Sequence, residues 1–327
     1  MSKVKSYLSL IKFSHTIFAM PFAMIGFFLG LKAIGLINSK IEYGVGQWNL
    51  NKTIGWDGDK DQSSSYFVTL INSKEFKQFL FTFFLVIFCM IFARSAAMAF
   101  NRYLDRQFDA KNPRTAIREI PTGIITPKNA LAFTIISSLF FIGCTFFINK
   151  ICFYLSPVAL AVVLGYSYTK RFTPFCHLIL GVGLSLAPIG AYLAVTGQFA
   201  LLPILFSLSV IFWVSGFDII YALQDEEFDK SQQLYSIPAW LGKAKALRVS
   251  ELLHVVSAAA VICAGVYGNF GWLYWIGTAV FCGMLVYQHS IVKPTDLRKV
   301  NLAFMTANGI ASVVFAIFVI ASLFINS

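Results

Sequence analysis

The sequence predicts an all-α fold, a multi-span integral membrane helical bundle of about nine transmembrane helices. Of its 327 residues 57% are hydrophobic and only 13% are charged, whereas a soluble domain carries roughly 25% charged residues. The apolar residues gather into runs of about 20, the length needed to cross a bilayer as a helix. Lysine and arginine concentrate in alternate connections between those runs, as they do in proteins oriented by the positive-inside rule.

The runs lie at 13–37, 79–101, 130–149, 152–168, 176–196, 202–223, 250–268, 272–291 and 302–325. Lys3, Lys5 and Lys12 precede the first and place the N-terminus on the cytoplasmic side. That first run is too long for a cleaved signal peptide, and no small-residue cleavage site follows it. Alternation then puts the basic stretches 102–128, 170–171, 230–248 and 293–299 inside. The nearly uncharged connections 149–151, 197–201 and 269–271 fall outside, as does the C-terminus. Spans adjoin closely at Lys150 and Lys170. The whole chain, 1–327, reads as one membrane domain, with a polar outer-face loop at about 38–75 to which no chemistry is assigned. The net charge of +11 belongs to this topology and implies no nucleic-acid partner. Six cysteines and four histidines are scattered singly, without the spacing of a zinc site or a disulfide framework.

Two acidic segments interrupt the apolar pattern: NRYLDRQFD, Asn101 to Asp109, and DIIYALQDEEFD, Asp218 to Asp229. Each residue of a helix advances about 100°. Asn101, Asp105 and Asp109 therefore share one face, and so do Asp218, Asp225 and Asp229. Tyr221 lies beside the second stripe, while Glu226 and Glu227 rotate away toward solvent. Both stripes close a span at its cytoplasmic end, where the helix dipole favours a cation. Facing carboxylates repel, by roughly 3 kcal/mol at 6 Å and an effective dielectric near 20. They call for a bound metal, for protonation, or for pairing with neighbouring Arg and Lys side chains. Oxygen-only ligands suit Mg²⁺, which bridges carboxylates to substrate phosphates, so a diphosphate is the expected cargo. Arg102, Arg106, Lys111, Arg114 and Arg118 follow the first motif, Lys243, Lys245 and Arg248 the second, and Lys170 and Arg171 sit in the YSYTKRFT loop; together these bases suit a diphosphate. Arg94 lies inside the second span, two turns deeper on the face of Asn101 and Asp105. An intramembrane arginine marks a function by default; pairing with Asp218 is the structural alternative.

At these residues the chain resembles the UbiA-type intramembrane aromatic prenyltransferase family. The first motif of that family, N-x-x-x-D-x-x-x-D, matches Asn101, Asp105 and Asp109. The run RT-x-x-R-x-x-P-x-G matches Arg114 to Gly123, and the second motif, D-x-x-Y-A-x-x-D-x-x-x-D, matches Asp218, Tyr221, Ala222, Asp225 and Asp229. A Y-x-x-x-K element matches Tyr166 and Lys170. The likeness covers nearly the whole chain and is closest to 4-hydroxybenzoate polyprenyltransferases. Two departures stand out: Arg102 follows Asn101 where many members have aspartate, and the N-terminal KFSHTIFAMPFA differs from the hydroxybenzoate enzymes.

The resemblance implies Mg²⁺-dependent transfer of a polyprenyl group from polyprenyl diphosphate to an aromatic acid acceptor. The reaction would serve ubiquinone or menaquinone biosynthesis at the bacterial inner membrane, with the site facing the cytoplasm. Asn101, Asp105, Asp109, Asp225 and Asp229 would hold the metal. Lys170, Arg114 and Arg118, with Arg102, would grip the diphosphate, and Tyr166 and Tyr221 would shield an allylic cation. Arg94 would hold the acceptor carboxylate, with Asp218 accepting a proton or orienting Arg94. The departures leave 1,4-dihydroxy-6-naphthoate open as an alternative acceptor. A secondary transporter is the rival from another class, but its polar groups belong near the bilayer midplane, not at one interface.

Overall fold

The structure, a computed structural model, describes residues 3–11, 18–36 and 74–325. The expectations for Lys12 and for residues 38–73 of the polar loop lie outside the described residues. Helices occupy all nine segments read as spans. In chain order the elements are α1 (Lys3–Leu10), α2 (Met20–Ala33), α3 (Lys74–Leu104), α4 (Arg106–Lys111), α5 (Pro127–Ile148), α6 (Lys150–Thr169) and α7 (Cys176–Thr196). They continue with α8 (Leu201–Ala222), α9 (Glu226–Ser231), α10 (Ile237–Leu241), α11 (Lys243–Tyr267), α12 (Trp272–Ile291) and α13 (Asn308–Ile325). A π-helical turn, Leu302–Ala307, leads into α13.

Seven of the described helices are long and apolar enough to cross a membrane, and α2 is apolar but shorter. Helix α12 matches them in length, but its tryptophans, tyrosines, Gln288 and His289 dilute its hydropathy. Large apolar side chains such as Phe140, Phe146, Phe147, Val255 and Val266 are exposed around the bundle. A soluble surface would not carry that many; a hydrocarbon solvent accommodates them.

Local chemistry sets the helix ends. Thr126 caps α5 through a bond from Asn129 N at 3.2 Å, with Pro127 in the first turn. Asn149, in extended conformation, separates α5 from α6 in a single residue. Its side chain accepts from Cys152 N at 2.9 Å and donates to Leu193 O at 2.8 Å. One amide therefore starts α6 and satisfies a terminal carbonyl of α7. Gly197, with φ of 66°, ends α7 in the left-handed region.

The core lies where α8 packs between α7 and α11, around Trp213, Phe206, Phe281, Phe315 and Tyr274. Hydrocarbon offers helices little hydrophobic drive to associate, so close approach and hydrogen bonds take over. Ser257 donates to Ser209 O at 2.9 Å and Ser250 to Gly216 O at 2.7 Å, joining α11 to α8. Trp213 Nε1 and Gln288 Nε2 both donate to Asn308 Oδ1 at 2.9 Å. Asn308 in turn donates to Ala303 O and Phe304 O, bonding two carbonyls of the π turn. Two pairs distant in sequence also meet. His254 Nδ1 lies 2.9 Å from His289 Nε2, and the free thiols of Cys89 on α3 and Cys144 on α5 are neighbours. Their separation in the chain hid both contacts.

Helices α2 and α7 cross at Gly26, where an added Cβ would stand 1.9 Å from Pro188 O. Gly143 on α5 has nothing within 4 Å of the same position. Gly26→Ala should therefore lower the apparent melting temperature of the detergent-purified protein, by a loss of about 1–3 kcal/mol from overpacking. Gly143→Ala should match or slightly exceed the parent, since alanine is the better helix former. Equal melting temperatures for the two variants would contradict this packing.

Candidate functional site

A cavity of about 290 Å³ opens at the end of the bundle that carries the 105–126, 170–175 and 223–242 connections. Every residue given a role at the site from the sequence lines it: Arg94, Asn101, Arg102, Asp105, Asp109, Arg114 and Arg118 from the first half, then Tyr166, Lys170, Asp218, Tyr221, Asp225 and Asp229. Helix α3 delivers the first three of these, and α8 delivers Asp218 and Tyr221. Lys243, Lys245 and Arg248 do not line it. Arg106 turns to Tyr103, donating to its carbonyl at 2.6 Å. Lys111 donates to Gln232 at 3.1 Å on the exposed rim.

The two acidic stripes are not uninterrupted helices, as the spacing had implied. Helix α3 stops at Leu104, Asp105 takes φ of −87° and ψ of 5°, and α4 starts at Arg106. The hydrogen bonds Asp105 N to Asn101 O, 2.9 Å, and Asp109 N to Asp105 O, 2.7 Å, keep the register across the joint. Helix α8 stops at Ala222, a 3₁₀ turn covers Leu223–Asp225, and α9 starts at Glu226. Both motifs thus break at the equivalent aspartate, a kink that helical periodicity cannot reveal. A second correction concerns Glu226. It is buried and paired with Lys230 at 2.5 Å, whereas Glu227 is exposed as expected.

Four of the five aspartates meet a permanent cation. Arg118 Nη1 lies 2.7 Å from Asp109 Oδ1, Lys170 Nζ 2.7 Å from Asp229 Oδ1, and Arg171 Nη2 3.0 Å from Asp105 Oδ1. Arg114 forks onto Asp225, its Nε donating to Oδ1 at 3.0 Å, and its Nη1 reaches Tyr221 Oη at 2.8 Å. Asn112 also donates to Asp225 Oδ1, at 3.2 Å. Ser236 donates to Asp229 Oδ2 at 2.9 Å and Asn101 to Asp105 Oδ2 at 3.1 Å. Pairing with neighbouring bases is one of the alternatives open from the sequence, and these side chains adopt it.

Burial pushes the Asp105 carboxyl up to about 6, only partly opposed by the Arg171 charge. For Lys170 and Arg114 burial works against the charged form, but Asp229 and Asp225 respectively more than offset it, and both pKa values rise.

Asp218 differs from the other four. Among the described residues no lysine or arginine pairs with it; His177 Nδ1 lies 2.7 Å from its Oδ2. The alternative pairing of Arg94 with Asp218 is not formed. Arg94 Nε and Arg102 Nη1 are buried without a hydrogen-bond partner, and so is Asp109 Oδ2. Buried polar atoms left unpaired cost about 1–3 kcal/mol each, and these line one cavity, so they suit a ligand with both anionic and cationic parts. Among the described residues no three Asp, Glu, His or Cys side chains cluster tightly enough to hold a metal alone. Mg²⁺ does not need such a cage, since it keeps waters and shares one or two carboxylates with substrate phosphates. The oxygen-rich donor set and the unpaired Asp109 Oδ2 fit such an ion. Two residues escaped the sequence reading. Asn112 lies in a basic loop with no pattern of its own, and His177 is one histidine among four in a mostly apolar chain. Nothing in the sequence marked the second.

The model of the UbiA prenyltransferase family matches residues 65–323. A 4-hydroxybenzoate octaprenyltransferase from Alkalilimnicola ehrlichii is 28% identical over 233 residues, 71% of this chain and 79% of that protein. The same enzyme from Alcanivorax borkumensis is 30% identical over 204 residues, 62% and 70% of the two chains. The apo structure of a UbiA homolog from Aeropyrum pernix K1 is similar with a TM-score of 0.69 at 25% identity, covering 95% of this chain and 98% of that one. A UbiA homolog from Archaeoglobus fulgidus bound to DMAPP and Mg²⁺ gives 0.68 at 16% identity, covering 98% and 99%.

A carboxyl raised in the folded state stabilises most when protonated. The stability tied to Asp105 is complete below about pH 4, the ordinary aspartate value, and is lost as pH rises through about 6. In metal-free protein, melting temperature should therefore fall more steeply between pH 4 and 7 for the parent than for Asp105→Asn. Parallel curves would show that Asp105 titrates normally.

Proposed function

Since the chain belongs to the UbiA prenyltransferase family, we propose that it transfers a polyprenyl group from polyprenyl diphosphate to the ring of an aromatic acid of the 4-hydroxybenzoate kind, with Mg²⁺ as cofactor. The observation that carries this reading is the single cavity in which five aspartates face Arg94, Arg102, Arg114, Arg118 and Lys170. The names of the sequence relatives support the acceptor class, and the ligands of the Archaeoglobus homolog support the donor and the ion. The basic end loops support a cavity facing the cytoplasm, and a bacterial inner membrane is the setting of this reading. Polar groups gathered at one end of the bundle disfavour a transporter, whose site belongs near the midplane.

Asn101, Asp105, Asp109, Asp225 and Asp229 would hold the metal, which would supply positive charge against the leaving diphosphate. Arg114, Arg118 and Lys170, with Arg102, turn their donors onto the phosphate oxygens, where charge grows as the allylic C–O bond breaks. The bonding pair leaves with the diphosphate. Tyr166 and Tyr221 present ring faces to the allylic cation. Arg94, buried and short of a partner, takes the acceptor's carboxylate and aims its ring. The ring carbon forms the new C–C bond, and its proton passes to Asp218. No protein nucleophile is required.

Asp105→Ala and Asp225→Ala should each reduce transfer at least about 100-fold, the scale of losing a preorganised electrostatic contact, while purifying as folded protein. Substantial Mg²⁺-dependent turnover in either would sink the metal assignment. Arg94→Ala should raise KM for the acceptor more than KM for the diphosphate; an unchanged acceptor KM would give Arg94 a purely structural role. Purified enzyme offered geranyl diphosphate with 4-hydroxybenzoate or 1,4-dihydroxy-6-naphthoate identifies the acceptor. Arg102 and the divergent N-terminal segment are the features that favour the naphthoate.

A further inference from the structure

We propose that His177 is the positioning residue of the site: it holds Asp218 oriented as proton acceptor through a neutral imidazole. This deepens the prenyl-transfer reading and rests on it. The imidazole is almost fully buried, at 3% exposed, between two partners. On one side the backbone N–H of Ile237 donates to Nε2 at 3.4 Å; on the other Nδ1 lies 2.7 Å from Asp218 Oδ2. An N–H pointing at Nε2 requires a lone pair there. The single imidazole proton therefore sits on Nδ1 and is donated to Asp218.

The Ile237 N–H has a reason to be there. It is the first amide of α10, among the donors a helix cannot satisfy internally. Ser236 caps the same helix, accepting from Ala239 N at 3.2 Å while donating to Asp229 Oδ2 at 2.9 Å. One short turn therefore links the Asp229 carboxylate to the His177 tautomer. On the other flank Ser215 Oγ donates to His177 O at 3.1 Å, tying the residue's backbone to α8, which carries Asp218.

The chemical consequence lies in the contrast with the other aspartates. Asp105, Asp109, Asp225 and Asp229 each touch a lysine or arginine, so a permanent counter-charge already occupies each carboxylate. A neutral donor fixes Asp218 without cancelling its charge. Its second oxygen has no partner among the described residues, and the side chain is a quarter exposed, toward the cavity. When the acceptor carbon bonds to the prenyl carbon, the displaced ring proton is taken by that oxygen. Oδ2 keeps its bond from His177, and the carboxyl then releases the proton to solvent or to the departing diphosphate.

Side-chain geometry supplies the test. An asparagine amide nitrogen occupies nearly the place of Nδ1, whereas a glutamine amide reaches the place of Nε2. Steady-state transfer by the full-length enzyme with Mg²⁺, geranyl diphosphate and the acceptor used by wild type should give the following. His177→Ala and His177→Gln lose kcat by roughly 10- to 100-fold, the cost of a misplaced reacting group, with both KM values within about threefold, since ground-state binding is untouched. His177→Asn recovers most of kcat. Adding His177→Ala to Asp218→Asn costs little further, because the base it positions is already gone. Equal kcat for the Asn and Gln variants overturns the assignment, as does a full additional loss in the double variant. If the Ala variant does not purify, the Asn and Gln pair, closer to histidine in volume, decides alone. Wild type inactive on every aromatic acid would instead overturn the transfer reading, and this role of His177 with it.

Discussion

Lys170 and Arg171 are adjacent in sequence but divide between the two acidic motifs, Lys170 to Asp229 and Arg171 to Asp105. Arg114 follows the first motif and crosses to Asp225 of the second. These charges join helix ends more than a hundred residues apart in the chain around a half-buried cavity. Removing one partner of such a pair leaves an uncompensated charge and costs more than the pair contributes. The end loops, the kinks at Asp105 and Asp225, and the short helices that follow are all consistent with keeping every carboxylate near a donor. The rest of the bundle holds those helix ends in place. Its serine bonds and glycine crossings fix α8 against α7 and α11, and α8 carries Asp218 and Tyr221.

How much of this could be read beforehand follows from what one-dimensional patterns encode. Span positions are set by apolar length, so Pro127–Ile148 and Lys150–Thr169 were legible even though only Asn149 separates them. The membership of the site was legible because each motif repeats at helical spacing, which survives a kink when the i to i+4 bonds persist. Partners were not. Arg114 with Asp225, or His177 with Asp218, are choices of tertiary structure, and each basic residue had several acids within reach. Glu226 was misjudged for a related reason: the 3₁₀ turn at Leu223–Asp225 rotates α9 relative to α8, so an ideal 100° step gave the wrong face. His177 was missed because a lone histidine in an apolar run has no signature until its neighbours are known.

On the proposed reading, the ion pairs also explain how such a site accepts a large anion. A diphosphate with its metal brings both charge signs. An aspartate that turned to the metal would release a base to a phosphate oxygen, so neither charge would be left alone. The bases are already desolvated and oriented, which limits the reorganisation that accompanies binding. Four aspartates and four bases can exchange in this way. Asp218, Arg94 and Arg102 stand outside that exchange, because Asp218 has no cation and the two arginines retain unpaired N–H groups. The donor's diphosphate is therefore served by groups that also pair with each other, joined by Arg102. The acceptor is served by Arg94 and Asp218, and the choice among aromatic acids falls on them and the walls beside them rather than on the four paired aspartates.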